Sequence, residues 1–178
     1  MNKNHADTAI QRHRDSSQGI LYISSGLPGA GKSTFLKNNK KEEEVIVSRD
    51  EIRFSLLKKG EEYFSREEEV FDLFIKNIVL NLKTGKNVYA DATHLTPQSQ
   101  IKLLAPVLLE SEPPQVNFIY FNVPLTICLQ RNENRKGTKT FVPPAVIRKM
   151  ASYANFRPCS YIDHMWIVDT EGNVSKER

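Results

Sequence analysis

Eight consecutive residues, Gly26-Leu27-Pro28-Gly29-Ala30-Gly31-Lys32-Ser33, constrain this chain more than any other stretch of it. They spell G-x-x-x-x-G-K-[ST], a loop whose backbone amides converge on phosphate oxygens. Glycine makes that spacing work, because a Cβ would forbid the dihedrals that let the backbone wrap a triphosphate. Lys32 is then placed to reach the β- and γ-phosphates, and the Ser33 hydroxyl to hold Mg²⁺. The flanks agree with the loop. Residues 19–25 read as a short apolar strand, and residues 33–37 open a helix whose N-terminus favours negative charge. A chance match in a chain of 178 residues is on the order of one per cent. The motif predicts ATP bound by Gly26, Pro28, Gly29, Ala30, Gly31, Lys32, Ser33 and Thr34.

Strands alternating with helices follow. Residues 44–48 (EVIVS) read as a strand and 50–58 as a helix. Ser65 and Glu68 make an S-x-x-E capping box ahead of Val70, Phe71, Phe74, Ile75, Ile78, Val79 and Leu82, which recur at helical spacing until Gly85 stops them. That stripe reads as core. Residues 86–90 are a buried strand ending in Asp91, Thr96-Pro97 starts another helix, and 116–121 is a strand. Helices over 125–131 and 144–155 and a short strand over 165–168 complete the pattern. The fold class expected is α/β: a P-loop kinase-like domain with about five parallel strands, helices on both faces and a lid. Residues 1–18 read as a flexible polar tail, 19–170 as the domain and 171–178 as a short polar C-terminal tail.

Composition narrows the class only slightly. A chain this size buries roughly 70% of its unfolded surface as one domain. No apolar run approaches the roughly 20 residues of a membrane span, and no leader is visible, so a cytoplasmic protein with no membrane partner is expected. Cys128 and Cys159 form no metal or redox spacing, and Cys128 falls in an apolar helical pattern. The net charge of +4 supports a nucleic-acid partner weakly. The charges are segregated, with Lys and Arg dense from 131 to 149 and Glu concentrated at 42–44 and 61–69.

In an open parallel sheet, ligands collect at the carboxyl ends of the strands. Three such ends carry chemistry here. Besides the phosphate loop, Ser48-Arg49-Asp50-Glu51-Ile52-Arg53 follows the second strand and Asp91-Ala92-Thr93-His94 follows the third. Asp50 is either a general base that accepts a hydroxyl proton or the N-cap of the next helix. Arg53, one turn later, could face the same cleft and meet an acceptor bearing phosphate, or form only a helix salt bridge. Asp91 stands where an acid would hold Mg²⁺, with capping of a turn as its alternative. His94 reads as a solvated loop residue. The polar segment 131–139 reads either as a lid or as a solvated loop, and Arg131 and Arg135, four residues apart, would both project towards the triphosphate if the helix continues.

With these residues in place, the chain resembles the polynucleotide 5′-hydroxyl kinase family, in the kinase domain of its phage end-healing members. The likeness runs from about residue 19 to about 157. It rests on GLPGAGKST, SRDEIR, DATHLTP and FNVPLTICLQRNENRKGTK followed by VPPAVIRKM. The resemblance implies ATP and Mg²⁺ as cofactors and a 5′-OH end of DNA or RNA as acceptor. It implies Lys32, Asp50 and Arg135 as catalytic residues and Ser33 and Asp91 at the metal. Arg53, with Arg49 beside it, would grip the acceptor phosphate, and Arg131 would be a second lid-side arginine. The chain departs from the family pattern in the lid, where Lys136 intervenes between Arg135 and Gly-Thr-Lys and a further residue precedes Val142-Pro143. Either Arg135 or Lys136 can therefore fill the lid position, and the spacing to Arg131 favours Arg135. No D-x-D motif occurs, so 3′-phosphatase activity is not expected. Two other readings stay open: a P-loop kinase for a small hydroxylated acceptor, and a non-catalytic ATP-binding module.

Overall fold

Every residue of β1 (Leu21–Ser25) except Tyr22 is buried. That is the pattern of a strand covered on both faces, and β1 lies inside the sheet. The structure is a computed structural model that describes residues 17–113 and 115–177. The expected N-terminal tail therefore lies, up to residue 16, outside the described residues. β1 pairs in parallel with β3 (Val88–Asp91) on one side and β4 (Val116–Phe121) on the other. β2 (Val45–Ser48) adds beyond β3 and β5 (His164–Val168) beyond β4, both parallel. A sixth strand, β6 (Val174–Lys176), runs antiparallel to β5, so the sheet order is β2-β3-β1-β4-β5-β6. The five parallel strands expected are all present, and β6 is an antiparallel addition to them. The segment read as a polar tail turns back at Gly172 and pairs, because backbone hydrogen bonding needs no apolar side chains, and β6 is exposed throughout.

Alternation along the strands separates two cores. Leu21, Ile23, Val88, Ala90, Val116 and Phe118 face α3 (Glu67–Lys83) and α4 (Pro97–Glu110). Ile119, Phe121 and Val168 face the other way, towards α1 (Lys32–Asn39), α5 (Leu125–Glu133) and α6 (Pro144–Tyr153). The aromatic stripe is core, as its spacing predicts: Val70, Phe74, Ile75, Ile78, Val79 and Leu82 are all buried. At about 1.5–3 kcal/mol per buried side chain, those six contribute on the order of 10 kcal/mol before the entropy of ordering is counted. The capping box in front of them does not form. α3 begins at Glu67 with Arg66 at the cap position, and the Ser65 hydroxyl donates to the Glu62 carbonyl at 2.8 Å. Three glutamates in the first turn favour the helix dipole instead. The Thr96 cap of α4 does form, reciprocally with Ser99 and with Pro97 in the first turn.

Buried polar side chains lock the loops that surround the carboxyl ends. Gln100 accepts from the Cys159 amide at 2.8 Å and donates to the Arg157 carbonyl at 3.0 Å. Asn132 donates to the Val142 carbonyl at 2.7 Å and accepts from its amide at 3.0 Å, closing the loop between α5 and α6 at its base.

Candidate active site

The phosphate loop is held from three sides. The Gly26 amide donates to the Thr93 carbonyl at 3.0 Å, which ties the loop to the segment after β3. Gly29, with φ +87°, sits against α5 so closely that a Cβ would lie 2.3 Å from the Cys128 carbonyl oxygen. Gly31, with φ +91°, caps α1 and lies beneath Arg131, whose Nη1 would be 3.5 Å from a Cβ there. Ala30 is buried and its amide donates to the Leu27 carbonyl, while Pro28 turns the loop. Lys32 is buried, and its Nζ donates to the carbonyls of Gly26 and Leu27 at 2.9 Å each. Burial pushes its pKa down, while Asp91 and Asp50 pull it back up.

Asp91 is 4% exposed and accepts from the Ser33 hydroxyl at 2.6 Å and the Ser24 hydroxyl at 3.3 Å. Burial raises its pKa, opposed by Lys32 and by those hydroxyls. A buried carboxylate joined to a serine hydroxyl, next to a loop that faces phosphates, is a hard-oxygen donor set that suits Mg²⁺. Among the described residues no cluster of three His, Cys, Asp or Glu side chains could hold a metal alone. Phosphate oxygens would therefore complete such a site.

Ser48 pairs in register with Asp91, so the residues just after β2 share a rim with the carboxylate after β3. There α2 (Arg49–Leu56) begins, and Ser48 is its N-cap, accepting from the Glu51 amide at 3.4 Å. The capping alternative for Asp50 thus falls away. The Asp50 side chain is 65% exposed and pairs with Arg53 one turn on. Arg53 is almost fully buried, and its guanidinium meets three oxygens. Its Nη1 contacts Asp50 and donates to the Tyr63 hydroxyl at 2.9 Å, and its Nη2 and Nε donate to Glu67 at 2.8 and 3.3 Å. The Tyr63 hydroxyl in turn donates to Asp50 Oδ1 at 2.9 Å. Burial and the Asp50 charge hold the Tyr63 phenol up at about 12. Glu67 also binds Arg49, which stacks over the Phe71 ring at 5.3 Å. One glutamate at the start of α3 therefore orients both arginines of α2.

On the other side of the loop lies a cleft of about 530 Å³, lined by Gly31, Thr34, Phe35, Arg131, Arg135 and the turn after β5 among others. Arg131 Nη2 donates to the Thr170 carbonyl in that turn at 2.9 Å. Arg135 is half-buried on the cleft wall, whereas Lys136 is exposed and pairs with Glu133 at 3.1 Å. Of the two lid candidates, Arg135 lines this cleft and Lys136 does not. His94 is not the solvated loop residue that the sequence suggests. It is 5% exposed, in a left-handed conformation (φ 38°), and stacks against Phe74 with ring centres 6.3 Å apart. Its Nδ1 lies 2.8 Å from the Ser24 carbonyl, and the Ser25 hydroxyl donates to the His94 carbonyl at 2.9 Å. His94 is thus a rivet between β1 and the loop after β3.

Sequence reasoning misses Tyr63, Glu67 and the turn after β5. Glu67 belongs to an acidic run in which nothing local singles it out, because its partners lie 14 and 18 residues back.

A family model described as an AAA domain matches residues 21–156. Among solved structures, the chain is similar to one from the Pnkp1/Rnl/Hen1 RNA repair complex, with 23% identity and a TM-score of 0.65. That match covers 84% of this chain and 50% of the other, so this chain spans about half the length of its counterpart. It is also similar to Kti12 of Chaetomium thermophilum in complex with ADP-AlF3, at 11% identity and a TM-score of 0.60, covering 84% and 88% of the two chains. A sugar kinase of Janibacter is similar at 13% identity and a TM-score of 0.57, covering 88% and 87%. These likenesses bear on the fold, which is that of a P-loop kinase. No curated protein matches the chain.

Proposed function

Because this chain belongs to the AAA domain family, matched across residues 21–156, we propose that it is a kinase of that fold and that its acceptor is a polynucleotide 5′-hydroxyl end, with ATP as donor. The observation that carries the reading is the Asp50–Arg53 pair. An accessible carboxylate and a buried, pre-oriented guanidinium stand together on the rim beside Lys32 and Asp91. A hydroxyl flanked by a phosphodiester needs such a pair, one group to take the proton and one to hold the neighbouring charge. The likeness to a chain of an RNA repair complex points the same way.

In this mechanism the triphosphate lies on the loop amides and along the cleft, and Lys32 exchanges the Gly26 and Leu27 carbonyls for phosphate oxygens. Ser33 and Asp91 would hold Mg²⁺, which supplies charge neutralisation across the β- and γ-phosphates. Asp50 aligns the 5′-hydroxyl and accepts its proton as the new O–Pγ bond forms. The bond between Pγ and the β,γ-bridging oxygen breaks, and ADP leaves. Arg135 and Arg131 approach the phosphates from the lid side, where an arginine facing the equatorial oxygens is worth about 10³–10⁵ in rate. Arg53 and Arg49 hold the acceptor.

Incubating the protein with Mg²⁺ and γ-labelled ATP tests the reading when three acceptors are offered: a 5′-OH oligonucleotide, the same oligonucleotide bearing a 5′-phosphate, and a free sugar. Label on the first alone is the expected result. Label on the sugar, or on no acceptor, would overturn the assignment.

A further inference from the structure

Resting on the reading of the acceptor as a polynucleotide end, we propose that Phe64, backed by Tyr63 and Phe54, is the platform on which the acceptor's terminal base stacks. Phe64 is 63% exposed and its neighbour Tyr63 38%. A single exposed aromatic residue needs no explanation. This group is organised. The Tyr63 ring meets Phe64 edge to face, with ring centres 4.7 Å apart and planes at 87°, and meets Phe54 in the same manner at 6.1 Å and 66°. Edge-to-face packing holds Phe64 in place without covering it.

The cluster is also bound to the reacting end of the site. Arg53 lies 4.5 Å from the Tyr63 ring centre and 5.7 Å from that of Phe64, while its Nη1 touches Asp50. Tyr63 itself donates to Asp50. Phe64 is therefore one guanidinium away from the carboxylate that would receive the hydroxyl proton. On the far side, Lys139 of the loop between α5 and α6 lies over Phe54 at 4.8 Å. An aromatic cluster flanked by Arg53 and Lys139, beside the exposed Asp50 carboxylate, matches a nucleoside followed by phosphate. A sugar or other small polyol offers no π-face for it. Because every base has such a face, the platform selects nucleic-acid ends without reading their sequence.

The test compares wild type, Phe64→Ala and Phe64→Trp on two 5′-OH oligonucleotides, one complete and one whose terminal nucleotide is abasic. Exposure makes the alanine variant safe for folding, and Phe64→Trp keeps the π-face. The expected result is a KM for the complete oligonucleotide raised roughly five- to a hundredfold by alanine and restored by tryptophan, with the KM for ATP unmoved. Wild type should favour the complete end over the abasic one by a similar factor, and Phe64→Ala should not distinguish them. If all three proteins discriminate equally, the platform lies elsewhere and this inference is wrong while the acceptor reading stands. If wild type phosphorylates neither oligonucleotide, the acceptor reading itself fails and the inference with it.

Discussion

His94 shows how a single buried side chain can tie the rim of this site together. Its ring bridges β1 and the segment after β3, and those two carry Gly26 and Asp91. Burial first, and then the nearby charges of Arg49 and Lys32, lower its pKa from 6.5 to about 4 against the Ser24 carbonyl. The folded state therefore binds fewer protons than the unfolded one between those two values, and stability rises with pH across that window. Stability is complete above about 6.5 and is lost as pH falls towards 4, by as much as about 3 kcal/mol. Asparagine tolerates the same left-handed backbone and can donate to Ser24, so His94→Asn isolates the titration. Urea unfolding at pH 6.5 and 4.5 should show wild type losing distinctly more stability than the variant. Equal losses would mean that His94 is not the proton acceptor. Position in the sequence suggests a solvated loop for this histidine. Its burial comes from Phe74 of α3, twenty residues away, and no local pattern carries that.

Among the elements, α3 does most to shape the proposed acceptor side. Its first residue, Glu67, holds Arg49 and Arg53, and its buried stripe anchors that residue to the sheet. In Glu67→Gln the buried Arg53 keeps Asp50 as its only carboxylate partner, and a charge-assisted bond worth about 1.5–3 kcal/mol is weakened. The expected outcome is a KM for the 5′-OH oligonucleotide raised about tenfold or more, with ATP affinity retained. Loss of thermal stability with both constants unchanged would make Glu67 purely structural. The apolar period of α3 was legible because six buried positions repeat at helical spacing, whereas its start was not. An S-x-x-E pattern competes there with a turn over 63–66 that places Tyr63 on Asp50, and the tertiary contact wins. The Thr96 cap, free of such competition, forms as its sequence says.

Across the whole molecule, sheet order decides what the strand ends can do together. Because β1 sits between β3 and β4, the phosphate loop opens where the connections leave in opposite directions, the usual place for a ligand in such a sheet. Asp91 comes alongside from β3 and the Asp50–Arg53 pair from the end of β2, and Arg131 of α5 and Arg135 just after it line the opposite flank. Strand–helix alternation and the glycine-rich loop made that much of the architecture readable. The β5–β6 turn was not, since Thr170 and Gly172 line the cleft through backbone and position, with no apolar signature. In the proposed function these strand ends form one phosphoryl-transfer site in which Asp50 takes the proton. Its most direct test is single-turnover transfer from γ-labelled ATP to a 5′-OH oligonucleotide by wild type and Asp50→Asn, with ATP binding measured on both. Equal ATP binding is expected, with transfer slowed about 10²–10⁴-fold in the variant. Transfer by Asp50→Asn at the wild-type rate would contradict that role for Asp50.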